Sequence, residues 1–422
     1  MAGKRILFIT HLYAPSVGGA ERLFQRLAEG LARRGHAVSV LTSDALTTEQ
    51  FFTAADNGLP KRETTGGVRV YREPVRAPRY AALKLFDKAA KRLGRIGIFG
   101  RPLVFGPHFS LSTFRFLQRV GFDTVVAGPV PTTAVFYALL FRRLARVLAR
   151  ARGGIPAGVP SARRPRLVFV PCMHTKDKLH TSPLNLVAIR RGDAVAALSV
   201  DEGEYLARRG VPRSRIFRLA AAVDESILEA PPSPTPPDEA APADYVLYLG
   251  QEGEHKRIPL LIKAMAGLWA KGFAEPLVIA GARTCYSATI DRVIAAMPSR
   301  WRERIVRVSD FPESRKVALL DGCRVLVNPS SLESFGIVFI EAWARRKPVV
   351  GARIRAVREL IRDGESGLLF EDKDGADLEA KIAALLRDPD AAARMGEAGY
   401  RDVLARFRWE AVVADFELIL CR

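Results

Sequence analysis

Residues 5–10 form a short apolar run, and Gly18-Gly19 follows after a polar and proline-containing stretch. Leu23, Leu27 and Leu31, with Phe24 beside them, then recur at helical spacing, so residues 20–34 are predicted as a helix with one apolar face. Gly35 ends that helix, and residues 37–42 are a second apolar run of strand length. Strand, helix and strand in this order open a parallel sheet. Residues 124–127, 167–171 and 194–199 are predicted as further strands, with helices between them. The alternation restarts after residue 244. Strands are expected at 245–249, 277–280, 325–329 and 348–351, and helices at 259–269 and 336–345. Residues 409–420 close the chain with apolar positions at helical spacing.

Between the two series lie residues 230–244, with six prolines in fifteen positions. Proline fixes φ and removes a backbone donor, so this stretch is predicted as a stiff linker. The expected organisation is α/β. A first domain covers residues 1–229, a linker 230–244, and a second domain 245–406, with a final helix at about 407–422 returning to the first domain.

Composition narrows the function classes. The 422 residues are 48% hydrophobic, which excludes disorder for the bulk of the chain. Cys172, Cys285, Cys323 and Cys421 show no C-x-x-C spacing, so neither a disulfide framework nor a zinc site is expected. The first residues do not read as a signal peptide, and the longest apolar stretch, 125–141, is interrupted by Pro129 and Pro131. It is shorter than the roughly 20 residues a spanning helix needs, so a cytoplasmic protein, soluble or peripheral on the inner face of a membrane, is expected.

Charge is uneven. The net charge of +20 lies wholly in residues 1–230, and residues 61–166 hold 22 Lys+Arg against 4 Asp+Glu. Such a field attracts phosphate-rich partners, and an anionic membrane surface is one candidate. The stretches 76–120 and 137–166 interleave Arg and Lys with Phe, Leu and Tyr. They read equally as basic amphipathic helices or as core helices with Arg-rich outer faces. No nucleic-acid recognition module is present in the sequence, and nucleic acid is not an expected partner.

The strongest chemical signal is NPSSLESFGIVFIEAWARRKPVVG at residues 328–351. A predicted strand runs into Pro329-Ser330-Ser331, a turn carries Glu333 and Gly336, and a helix starting near Gly336 carries Glu341. The amides at such a helix start point toward the sheet edge, where an anion can sit. Glu333 and Glu341 stand eight residues apart, before and inside the helix, and can accept hydrogen bonds from sugar hydroxyls.

The pattern S-x-x-E-x-F-G-x-x-x-x-E-A, followed by R-x-K-P-V-V-G and by D-G-E-S-G-L-L-F at 363–370, resembles the donor site of retaining glycosyltransferases of family 4. The resemblance is strong over 245–422, good over 1–45 and 190–228, and weak over 60–166. It implies the GT-B fold, two Rossmann-like domains facing each other across a cleft, with a final helix crossing back. It implies a sugar-nucleotide donor, a UDP- or GDP-sugar as co-substrate, and neither a cofactor nor a metal. Asp388-Pro389-Asp390 has the letters of a metal motif but reads as a helix cap.

By the same resemblance, Glu341 matches the residue that binds the nucleotide ribose, and Glu333 the one close to the donor sugar. Backbone amides of Phe335, Gly336, Ile337 and Val338 match those that hold diphosphate or sugar. Gly18 and Gly19 match a pair that meets the diphosphate, and His174 a histidine beside the sugar. Glu21 matches a frequent acidic residue of less direct role. Lys256 matches a diphosphate-binding lysine. The catalytic set is therefore His174, Lys256 and Glu333. Two departures stand out. Gln251 occupies the place of an arginine, with Arg257 offered nearby as a substitute, and Ala220-Ala221-Ala222 replace a Pro-Asn-Gly turn. A retaining transfer to a lipid-linked or polysaccharide acceptor is the expected function, and a catalytically weakened scaffold or sensor of the same fold is the alternative.

Overall fold

The computed structural model describes residues 3–16, 18–53, 57–75, 106–151, 164–175, 177–232, 244–309, 311–333 and 335–421. The chain forms two α/β units, one from Met1–Leu219 with Val413–Arg422 and one from Ala220–Val412.

Among its described residues the first unit has eight strands: β1 Arg5–Ile9, β2 Ala37–Ser43, β3 Arg62–Thr65, β4 Val68–Glu73, β5 Thr124–Ala127, β6 Arg166–Phe169, β7 Ala194–Ala197 and β8 Ile216–Arg218. Their spatial order is β3-β4-β2-β1-β5-β6-β7-β8, and only the β3–β4 pair is antiparallel. Ile6 lies opposite Val38 on one side and Thr124 on the other. Ile6, Leu7, Phe8 and Ile9 are all solvent-inaccessible, as a parallel strand covered on both faces requires. The helix Gly19–Arg33 turns Leu23, Phe24, Leu27 and Leu31 inward, which is the face read from the sequence.

The helix Ala134–Ala151 covers the basic stretch 137–151. Ala134, Val135, Ala138 and Phe141 are buried in the core of this unit. Arg142 is buried too and bonds Asp193 at 2.8 Å. In this part the core-helix reading holds. Of the other basic stretch, the helix Leu111–Val120 also buries Phe114 and Leu117 in that core, while residues 76–105 and 152–163 lie outside the described residues. No helix among the described residues is long and apolar enough to cross a membrane.

Among its described residues the second unit carries six parallel strands: β9 Tyr245–Leu249, β10 Leu277–Ala280, β11 Ile305–Val308, β12 Cys323–Asn328, β13 Val349–Ala352 and β14 Leu368–Phe370. They stand in the order β11-β10-β9-β12-β13-β14. The order reverses between β9 and β12, and ligands of such sheets bind outside the strands' carboxyl ends at that point.

The boundary between units falls at 219/220, ten residues before the expected 229/230. The cause is a set of anchors on residues 224–231. Arg345 donates to the carbonyls of Ile227 and Ala230 at 3.0 and 2.7 Å while its guanidinium pairs with Asp321. Asp224 accepts from Trp409 Nε1 at 3.2 Å. Ala221 and Ala222 are buried and serve as packing, while Ala220 is half-buried. Of the proline-rich stretch, residues 233–243 lie outside the described residues. The last helix, Trp409–Cys421, contributes its part from Val413 onward to the first unit. There Glu417 bonds His36 at 2.8 Å and Arg34 at 2.6 Å.

Candidate functional site

In the second unit, chemistry collects at the carboxyl ends of β9 and β12. After β9 the chain runs through Gly250 to a short 3-10 turn, Glu254–Lys256. After β12 it runs through Asn328 to Glu333. The two exits are stitched together: Ser331 donates its N–H and its hydroxyl to the His255 carbonyl at 2.8 and 3.0 Å. That stitch brings Lys256 Nζ to 2.6 Å from Glu333 Oε1, in a pair that is mostly buried. Asn328 Nδ2 donates to the same oxygen at 3.1 Å. Burial alone would raise the Glu333 carboxyl. The Lys256 charge and the bonds from Lys256, Asn328 and Ser330 outweigh it and hold the group below its ordinary value.

Gly336 follows at φ +95°, a left-handed conformation that side-chain-bearing residues rarely adopt. A Cβ there would also stand 2.8 Å from the Phe339 ring. The glycine is the N-cap of the helix Ile337–Ala344; the Ile337 and Val338 amides have no acceptor one turn back in the helix, while the Phe339 N–H donates to the Gly336 carbonyl at 3.0 Å. Phe335 is buried and meets the Phe407 ring edge-on at 5.8 Å. Ile337 and Val338 are half-buried in the first turn. Glu341, on the second turn, is 5% exposed, and Lys316 Nζ lies 3.0 Å from its Oε1.

The expected residues of this unit therefore divide. Lys256 and Glu333 are joined directly. Glu341 is paired with Lys316, on the helix Glu313–Gly322, which the sequence reading missed. Arg257 adopts φ +50° and pairs with Asp372. Its guanidinium is engaged there and is not brought to the Lys256–Glu333 pair. Gln251 is exposed, and its carbonyl accepts from Tyr248 Oη at 2.9 Å. Asp388 caps the helix Pro389–Arg406 by accepting from the Ala391 N–H at 2.9 Å. Among the described residues no group of three or more His, Cys, Asp and Glu side chains is placed to hold a metal.

In the first unit, Gly18 is the extended N-cap of the helix Gly19–Arg33. The Glu21 carboxylate folds back against it, so that a Cβ on Gly18 would stand 2.2 Å from Glu21 Oε2. Glu21 lies 3.2 Å from His11 Nε2, a buried histidine just past β1 that the sequence reading did not single out. Burial works to raise the Glu21 carboxyl, but the His11 bond and charge bring it below its ordinary value. His174 lies past the end of β6. Its backbone N–H donates to His180 Nδ1 at 3.2 Å, and the two rings lie 4.8 Å apart. Burial, with the His174 ring, pushes His180 down to about 4.

Two family models match successive parts of the chain. A glycosyl transferase 4-like domain matches residues 18–221, and the glycosyl transferases group 1 model matches residues 236–402. Glycogen synthase from Mycobacterium tuberculosis is 25% identical over 429 residues, which is 97% of this chain and 92% of that protein. A D-inositol 3-phosphate glycosyltransferase from Corynebacterium aurimucosum is 30% identical over 177 residues, 41% of this chain and 42% of the relative. Among solved structures, sucrose-phosphate synthase from Thermosynechococcus elongatus superposes with a TM-score of 0.69 at 19% identity, covering 99% of this chain and 98% of that one. Anabaena HepE in complex with UDP and glucose gives 0.68 at 17% identity, with 99% of each chain covered. The fold is GT-B, and the chain belongs to the glycosyl transferases, with a family 4-like first part and a group 1 second part.

Proposed function

We propose that this glycosyl transferase takes its sugar from a nucleoside diphosphate donor, a UDP- or GDP-sugar, and passes it to an acceptor with retention of anomeric configuration. The observation that carries this reading is the Lys256–Glu333 pair beside the Gly336 helix start, at the point where the second sheet reverses its strand order. The UDP bound to the Anabaena neighbour supports it.

In the reaction, the bond from the anomeric carbon to the diphosphate oxygen breaks and a bond to the acceptor oxygen forms on the same face. The acceptor proton passes to an oxygen of the departing diphosphate. Negative charge grows on the leaving group, so a cation and oriented amides there lower the barrier. Lys256 and the amides of Phe335, Gly336, Ile337 and Val338 suit this role, and no metal is needed for it. Glu333 holds Lys256 by its ammonium until the donor arrives and then accepts from sugar hydroxyls. Glu341, steadied by Lys316, accepts from the ribose hydroxyls. The family likeness assigns Gly18 and Gly19 to the diphosphate and His174 to the donor sugar. The net charge of residues 61–166 favours an anionic acceptor or a membrane surface.

Release of nucleoside diphosphate from a panel of UDP- and GDP-sugars, in the presence of chelator, tests the reading. A selective donor with turnover lowered at least about a hundredfold in Lys256→Ala is expected. Proton NMR of the product anomer tests retention. A second reading, a sugar-nucleotide sensor without turnover, is favoured by Gln251, a neutral and exposed side chain where the family likeness places an arginine. Tight UDP or GDP binding with no release from any donor supports that second reading.

A further inference from the structure

Three successive residues past β6 are each held by a side chain from elsewhere in the first unit. The Met173 N–H donates to Glu202 Oε1 at 2.8 Å. The His174 N–H donates to His180 Nδ1. The Thr175 hydroxyl donates to Asp201 Oδ2 at 2.6 Å. Just before them, Cys172 is at φ +49°, a left-handed turn in a residue that is not glycine. The chain is thus bent sharply and tied down at every step around His174.

Glu202 is the centre of this clamp. It is 1% exposed, and its second oxygen accepts from the Leu198 N–H at 2.7 Å. Leu198 lies just past β7, so one carboxylate links the exits of two adjacent strands. The local sequence is Ser199-Val200-Asp201-Glu202, and Ser199 caps the helix Val200–Arg208 by accepting from the Glu202 N–H at 3.1 Å. In an ordinary capping box the third-position Glu reaches back to the cap residue's own N–H. Here it reaches one residue further back, to Leu198, and across to Met173. Helix capping alone does not call for that second bond.

We propose that Glu202, with Asp201 beside it, is a positioning residue for the transfer reaction: the pair sets the place of His174 by holding the Met173 N–H on one side of it and the Thr175 hydroxyl on the other. This rests on the role proposed above for His174 beside the donor sugar. A carboxyl group suits the task because each of its two oxygens accepts one of the N–H bonds, from Met173 and from Leu198. An amide offers one oxygen and two donors, so Glu202→Gln keeps the size and loses one of the two bonds.

The test is a double-mutant cycle on the purified full chain. It compares wild type, Glu202→Gln, His174→Ala and the double variant, by release of UDP from UDP-glucose or of nucleoside diphosphate from the panel donor that wild type turns over fastest. Glu202→Gln is expected to lower kcat about tenfold with the donor KM within about twofold of wild type, because a small misplacement of a reacting group costs rate more than binding. In the His174→Ala background the same change is expected to do almost nothing, since residues that act through one another are not additive. If the two effects multiply while His174→Ala alone is slow, Glu202 acts through general stability and the proposal is overturned. If His174→Ala turns over like wild type, the role of His174 is overturned, and the proposal with it. Should Glu202→Gln fail to fold, Thr175→Val releases the Asp201 end of the clamp without touching a buried charge. A smaller loss of kcat, again absent in the His174→Ala background, is expected for it, and unchanged kcat contradicts the clamp.

Discussion

Two buried carboxylates of this chain have opposite electrostatics, and the difference follows from their partners. Glu333 has a lysine at 2.6 Å and sits below its ordinary range. Glu202 has backbone amides. Its burial outweighs the bonds from Met173 and Leu198, Asp201 adds to it, and the group rises to about 7. Between the ordinary glutamate range and about pH 7, the folded chain therefore keeps a proton on Glu202 that the unfolded chain has lost. Stability contributed through this group falls as pH rises across that window. Unfolding midpoints in urea, measured from pH 5 to 8, are expected to drop less steeply with pH in Glu202→Gln than in wild type. Parallel curves contradict this assignment. For Glu333 the sign reverses: its pairing stabilises above the ordinary glutamate range and is lost as pH falls below it. Lys256→Met leaves that carboxylate buried without its cation. A loss of roughly 3 kcal/mol at pH 7, shrinking toward pH 4 as Glu333 takes up a proton, is expected from denaturation.

At the scale of elements, legibility followed burial. Thr124–Ala127, Tyr245–Leu249 and Leu277–Ala280 are continuous apolar runs because parallel strands are covered on both faces, and their limits agree with the sequence reading. The hairpin of β3 and β4 was missed. Its outer strand, Arg62–Thr65, is mostly exposed and polar, so it leaves no apolar signature. β11 was missed for a similar reason: it is a half-exposed edge strand of four residues with an arginine inside. The site divides in the same way. The candidate residues Glu333, Gly336 and Glu341 share one contiguous stretch, so a sequence pattern can propose them together. Lys316 pairs with Glu341 from another helix, 25 residues away, and His11 meets Glu21 across the β1 exit. Pairings of that kind depend on how elements pack, which no local pattern encodes. One element-scale prediction concerns the helix start at Gly336. Gly336→Ala places a side chain at φ +95° and against Phe339, and is expected to cost about 1–3 kcal/mol in unfolding experiments and to weaken nucleotide binding. Unchanged binding contradicts a role for the helix start in holding the donor.

For the whole molecule, the charge split is the feature that the fold leaves unexplained. The second half of the chain, 231–422, carries equal numbers of acidic and basic residues, while the first carries all the excess. Arg142 shows that part of that excess is structural, since it is buried on Asp193. The remainder predicts salt-sensitive binding to a negative surface. Cosedimentation with vesicles of phosphatidylglycerol and phosphatidylcholine is expected at about 0.05 M salt and is expected to be lost near 0.5 M. Vesicles of phosphatidylcholine alone serve as the control. Equal behaviour toward both lipids contradicts a membrane role for the basic half.

Most of the proposed chemistry rests on the second unit holding a nucleoside diphosphate sugar at Lys256, the Gly336 helix start and Glu341. Calorimetric titration of UDP, GDP and their glucose and mannose conjugates into wild type, Lys256→Ala and Glu341→Ala tests it most directly. One nucleotide is expected to be selected, and its affinity is expected to fall about tenfold or more in each variant, with both variants folded. Undiminished affinity in both variants, or no binding of any of these ligands to folded wild-type protein, contradicts it.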